Sequence, residues 1–183
     1  MITTNEDIKR IVDKHLTTKP SLVRYCYVIQ HKEKYLITKT EDATFPLITF
    51  GNKWQFLCDS YYYCDLYDSD IVSLISNVLY QSININIPSE DIKPVGIDEF
   101  TAAVEYYDEQ LHFYPPSSEK NKSTAHFLNL FFYANVENIE MFNLWTEFHS
   151  EYKWVDKNDL FEMNEIDIDK KFIMETFFNV FKI

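Results

Sequence analysis

The sequence predicts an α+β fold with a mixed sheet, and three observations carry that reading. Two stretches, 69–82 and 167–183, repeat their apolar residues at helical spacing. Several shorter runs are rich in Val, Ile, Tyr and Phe and are bounded by polar turns, as strands are. Helical and strand patterns are interleaved along the chain with no linker, repeat or low-complexity tract between them, so 1–183 reads as one domain.

Residues 4–16 read as a helix, capped by Thr4 or Asn5, with Ile8, Ile11, Val12 and Leu16 on one stripe and Pro20 beyond its end. Residues 1–19 thus form an N-terminal helical extension to a core of 20–183. "LVRYCYVIQ" (22–30) and "YLITKT" (35–40) are strands, and the polar "HKEK" between them makes a β-hairpin. An irregular aromatic stretch follows, with a short strand at Trp54–Leu57. The segment "SDIVSLISNVLYQSINI" (69–85) is an amphipathic helix with Ile71, Leu74, Ile75, Val78 and Leu79 along its stripe. "DIKPVGIDEFT" and "AAVEYYDEQLHFY" read as strand, turn and strand. "PPSSEKNKST" (115–124) is a loop, and "AHFLNLFFYANV" (125–136) is the strongest strand pattern of the chain. A short strand at Tyr152–Val155, a helix start near Asp156–Leu160 and an amphipathic terminal helix complete the order.

The composition narrows the function. The formal net charge is −12, from 17 basic against 29 acidic residues, and no Lys/Arg-rich run exists. Broad binding to nucleic acid or to an anionic membrane surface is therefore not expected. No apolar run nears the roughly 20 residues that span a bilayer. The three cysteines, Cys26, Cys58 and Cys64, have no metal-ligand spacing and read as free thiols of a reducing compartment, so a cytoplasmic protein is expected. There are only two glycines, Gly51 and Gly96, where average usage of about 7% gives about a dozen. Wherever the backbone needs positive φ, Asn or Asp must usually serve.

The 69–85 helix poses the functional question. Its face opposite the apolar stripe holds Ser73, Ser76, Asn77, Gln81 and Ser82, polar yet neutral, although a quarter of the chain is charged. "RYCYVIQHKEKYLITKT", "KWQF" and "EFHSEYKWVDKNDLFEM", in this order around the helix and the long loop, resemble the Nudix hydrolase family. The likeness covers most of 20–181. It implies a Nudix-like α/β/α sandwich with a mixed sheet, and hydrolysis of phosphoanhydrides with a divalent metal held by helix glutamates.

The family's motif is G-x5-E-x7-R-E-U-x-E-E-x-G-U, where U is bulky and apolar. Laid with its U positions on Leu79 and Ile85, it spans Tyr63 to Ile85, and the apolar positions fit. The reactive positions do not. Tyr63 and Asn84 stand for glycine, Ser69 for the first glutamate and Asn77 for arginine. Val78, Gln81 and Ser82 stand for the three helix glutamates. A hard dication needs anionic oxygen ligands, which amides, hydroxyls and a valine do not supply. The expectation is a degenerate Nudix box with no metal and no cofactor: a binding or pseudo-enzyme protein for a small nucleotide-like ligand or a protein partner.

Two alternatives stand beside it. A divergent hydrolase of a nucleoside diphosphate derivative would hold Mg or Mn with relocated carboxylates, Asp65 and Asp68 in the loop before the helix. Its base would be Glu147 or Glu151, in the segment where some family members keep theirs. The bland reading of those aspartates is turn formation and helix capping, and of those glutamates a solvated acidic loop. The other alternative is an unrelated α+β interaction domain. Candidate ligand contacts are Arg24 and His126, near the cleft that the likeness implies, and Trp54 and Tyr63, as aromatic stacking surfaces. Each also has a plain reading as strand or filling residue.

Overall fold

The computed structural model of the protein describes residues 6–7, 10, 21–39, 54–61, 71–107, 110–112, 122–145 and 149–163, with the backbone alone for 21–23, 59–61, 98–107, 110–112 and 122–127. The terminal helix expected over 167–183 lies outside them. Of the N-terminal helix, Glu6, Asp7 and Arg10 are helical, and Arg10 pairs with Asp7 across one turn at 3.0 Å.

Among the described residues, eight strands form one sheet: β1 (Ser21–His31), β2 (Lys34–Lys39), β3 (Trp54–Gln55), β4 (Leu57–Tyr61), β5 (Lys93–Tyr107), β6 (Gln110–His112), β7 (Lys122–Asn135) and β8 (Glu151–Asp156). The hairpin of β1 and β2 pairs only beside its turn, at Gln30↔Tyr35 and His31↔Lys34, and its arms then part. The segment Trp54–Tyr61 fills the fork, with β3 on the inner edge of β2 and β4 antiparallel to β1 from Val23↔Tyr61 to Tyr27↔Leu57. On the outer edges, β8 runs antiparallel to β2 and β7 runs parallel to β1, from Ser21↔His126 to Gln30↔Asn135. Beyond β7 lie β5 and β6, both antiparallel to their neighbours. One parallel pair among antiparallel ones makes the sheet mixed.

One reading is corrected here. The run 91–114, expected as the strand "DIKPVGIDEFT", a turn and the strand "AAVEYYDEQLHFY", continues as β5 for 15 residues across that division before the short return of β6. Gly96 does not turn the chain. It sits at a register shift between Pro94 and Gly96, where a bulge absorbs a proline that cannot donate to the ladder. From Gly96 to Glu105 the pairing with β7 is unbroken, and that ladder holds the segment straight.

Strand alternation sorts the core onto two faces. Tyr25, Tyr27 and Ile29 of β1 and Leu128, Leu130, Phe132 and Ala134 of β7 pack on one face against helix α1 (Ile71–Ile83). The helix buries Ile71, Ile75, Leu79 and Ile83 there. The other face collects Cys26, Val28, Tyr35, Ile37, Trp54, Phe56 and Phe131 beneath Leu160 of the short helix α2 (Lys157–Glu162). Asp156 caps α2, its carboxylate accepting from the Asp159 N–H at 2.9 Å. Among the described residues no helix is long and apolar enough to cross a membrane.

Candidate functional site: the C-terminal half of helix α1

Helix α1 holds no acid in its first turn, no base in its last, and no ionisable carboxyl, amine or imidazole anywhere between. Asn77 and Gln81 face solvent, Ser82 is half-buried, and Val78 leans onto the core beneath the helix. Ser76 donates its hydroxyl to the Ile87 carbonyl, tying the helix to the segment that follows it.

The helix ends at Asn84, whose φ of 55° lies in the left-handed region usual for glycine after a helix. The Asn84 N–H donates to the Tyr80 carbonyl and its side-chain amide to the Met141 carbonyl, both at 2.9 Å. Two more N–H groups of the same loop finish the cap: Trp145 donates to Ser82 O at 2.9 Å and Asn143 to Ile83 O at 3.0 Å. Two of the carbonyls that a helix leaves open at its C-terminus, those of Ser82 and Ile83, are thus met by the 137–145 loop. Beyond the helix end, a cavity of about 430 Å³ opens between that loop and the 85–93 segment, lined by Ile85, Ile87, Asp91, Lys93, Tyr133 and Glu137.

The other sequence candidates fall elsewhere. Arg24 is buried on the sheet face away from α1, where its Nη2 donates to Cys58 Sγ at 3.3 Å. The Cys58 thiol in turn points to Gln55 Oε1 at 3.7 Å. Trp54 is also buried, with Lys153 Nζ 4.0 Å and Lys39 Nζ 5.9 Å from its ring centroid. Glu151 is exposed on β8 and pairs with Lys39 at 3.6 Å. The backbone of His126 lies in β7, opposite Ser21 and Thr101. Tyr63, Asp65, Asp68, Ser69 and Glu147 lie outside the described residues. Among the described residues, no three His, Cys, Asp or Glu side chains come together in a way that could hold a metal ion.

Two polar residues escaped the sequence reading. Asn129 stands beside Arg24 in the β1–β7 register, fully buried, with neither amide atom hydrogen-bonded among the described residues. The signal was a lone amide inside the apolar run "HFLNLFFY". His149 is buried as well, and desolvation pulls its pKa from 6.5 to about 4, so it is neutral near pH 7.

No protein-family model and no curated protein sequence matches the chain. Solved structures do. The MutT protein of Methanosarcina mazei Go1 superposes with a TM-score of 0.54 over 85% of this chain and 92% of its own, at 13% identity. A MutT protein of Bacillus halodurans gives 0.53 over 84% and 80%, at 12% identity. The C-terminal domain of mouse MUTYH, solved in complex with human PCNA, gives 0.52 over 87% and 88%, at 7% identity. This chain has the Nudix fold.

The Nudix assignment bears on α1 in particular. The motif placement puts its last glycine on Asn84, and Asn84 is where the helix stops with positive φ. The alternative of an unrelated α+β fold is overturned by these superpositions.

Proposed function

We propose that this Nudix-fold protein binds a nucleotide-like ligand or a protein partner and does not carry out metal-dependent hydrolysis. The observation that carries the reading is the chemistry of α1. At the three positions that the motif gives to glutamate stand a valine turned toward the core, an amide and a hydroxyl. A magnesium or manganese ion takes its place by exchanging water for anionic oxygens, and this helix offers none. Glu151, the described candidate for a relocated carboxylate, is engaged with Lys39 on the far side of the sheet from α1. A protein partner is in keeping with the mouse MUTYH domain, a neighbour of the same fold whose structure holds another protein.

The test incubates the protein with a panel of nucleoside diphosphate derivatives and magnesium or manganese while phosphate release is followed. The expected result is no turnover above the protein-free blank. Metal-dependent turnover that disappears in Asp65→Asn, Asp68→Asn or Glu151→Gln would establish the hydrolase alternative instead. Thermal-shift titration with the same nucleotides reports binding separately, since a ligand of the folded state raises Tm with its concentration.

A further inference from the structure

The large apolar side chains exposed among the described residues are Tyr80 at 53%, Met141 at 71%, Trp145 at 48% and Tyr152 at 49%. They are not scattered. Tyr80 and Met141 are both joined to Asn84, the first through its carbonyl and the backbone N–H, the second through its carbonyl and the side-chain amide. Trp145 is fastened to the same helix end through Ser82 O. Tyr152 stacks on Phe142 with ring centroids 4.7 Å apart, and Phe142 rests on Trp154 at 5.7 Å, which in turn meets His31 at 5.9 Å. A row of rings therefore runs from the turn of the hairpin to solvent, and the backbone of Tyr80, Met141 and Trp145 is held together at the neighbouring helix end. Solvent-exposed groups of this kind mark interaction surfaces, with aromatic and Met anchors of the sort found at the centre of interfaces.

The loop that carries Met141 and Trp145 is acidic, while the cavity beside it is lined by Asp91, Lys93 and Glu137 together. Residues 137–145 contain Glu137 and Glu140 and no Lys or Arg, and both carboxylates are exposed. Helix α1 ends here without a basic residue in its last turn, where the negative end of its dipole favours a cation. The nearby lysines Lys39 and Lys153 belong to the opposite sheet face, over Trp54. The whole chain carries −12. We infer that the surface formed by Tyr80, Met141, Trp145 and Tyr152 docks a basic, amphipathic peptide segment of a partner protein, its aliphatic side chains on the rings and its Arg or Lys on Glu137, Glu140 and the α1 carboxyl end. Arginine suits both halves, since its guanidinium stacks on aromatic faces and pairs with carboxylates. The inference rests on the binding reading proposed above and names the partner chemistry.

The experiment titrates the full chain with a 12-residue peptide of alternating Arg and Leu, reading Trp fluorescence and its quenching by acrylamide, with Trp145→Phe assigning the signal. Saturable binding that shields Trp145, at least tenfold weaker for the Arg-Ser peptide and absent for Glu-Leu, is expected. The double variant Met141→Ser/Tyr152→Ser lowers affinity at least tenfold with an unchanged melting temperature. Glu137→Gln/Glu140→Gln flattens the dependence on salt. Equal binding of Arg-Leu and Arg-Ser overturns the inference, because net charge alone would then explain it. So does binding that the double variant leaves untouched. A dimer in sedimentation that Met141→Ser disperses overturns it in favour of a second copy of the chain. Hydrolysis by the same preparation would refute the non-catalytic reading while leaving the peptide result to stand or fall by itself.

Discussion

Among the described residues, two non-glycine residues hold backbone conformations that glycine adopts without cost, Asn84 at φ 55° and Lys32 at φ 56°. Asn tolerates this region better than other non-glycine residues, and Lys pays on the order of 1 kcal/mol to enter it. Asn84→Ala is expected to lose about 1–2 kcal/mol in urea denaturation, whereas Asn84→Gly stays near the parent, trading the Met141 bond for backbone freedom. Lys32→Gly in the hairpin turn is expected to gain up to about 1 kcal/mol by the same reasoning. The scarcity of glycine announced that Asn would take over such a position, and Asn84 does. Lys32 carried no such signal, because its conformation is imposed by the hairpin closing around it.

His149 gives stability a pH dependence of definite sign. The unfolded chain takes up its proton near pH 6.5, and the folded chain refuses it until about pH 4. The contribution is complete above pH 6.5 and is lost as pH falls through that window, at up to about 1.4 kcal/mol per pH unit. Denaturation midpoints at pH 7.5 and pH 5 are expected to converge in His149→Gln by about 2 kcal/mol relative to the parent.

At the level of elements, apolar spacing located α1 to within two residues at its start, since a stripe at helical period can be buried in only one way. Ile75 and Leu79 lie at the centre of that stripe and are completely shielded. Leu79→Ala is expected to cost about 2–5 kcal/mol, measured by denaturant unfolding, because the surrounding strands cannot close the cavity. The hairpin and β7 were legible for a similar reason, being short runs of branched and aromatic residues between polar turns. The extent of β5 was not. The bulge between Pro94 and Gly96 and the unbroken strand beyond it show only in the long-range ladder to β7. Strand parity places Arg24 on the sheet face away from α1, against Cys58, a position that its place at the start of β1 does not reveal.

The whole molecule depends on pairings that a linear reading cannot see. The fork between β1 and β2 and its filling by Trp54–Tyr61 decide which side chains meet, and so decide that Trp54 lies under two lysines. The order of elements was readable, and from it the fold. The assembly of a site was not, because it is set by register between strands about a hundred residues apart. At this scale a gain-of-function test is informative. Gln81→Glu/Ser82→Glu places carboxylates at an exposed and a half-buried position of α1 and is expected to bind Mn²⁺, read by its electron paramagnetic resonance signal, where the parent does not.

The parallel partner of β1 arrives late: Ser21 lies opposite His126, 105 positions further along. During synthesis at about 5–20 residues per second, an apolar strand of Tyr, Cys, Val and Ile waits on the order of 5–20 s with one edge open. Nascent chains halted before Lys122 are therefore expected to need chaperones, and to sediment as aggregates when released without them.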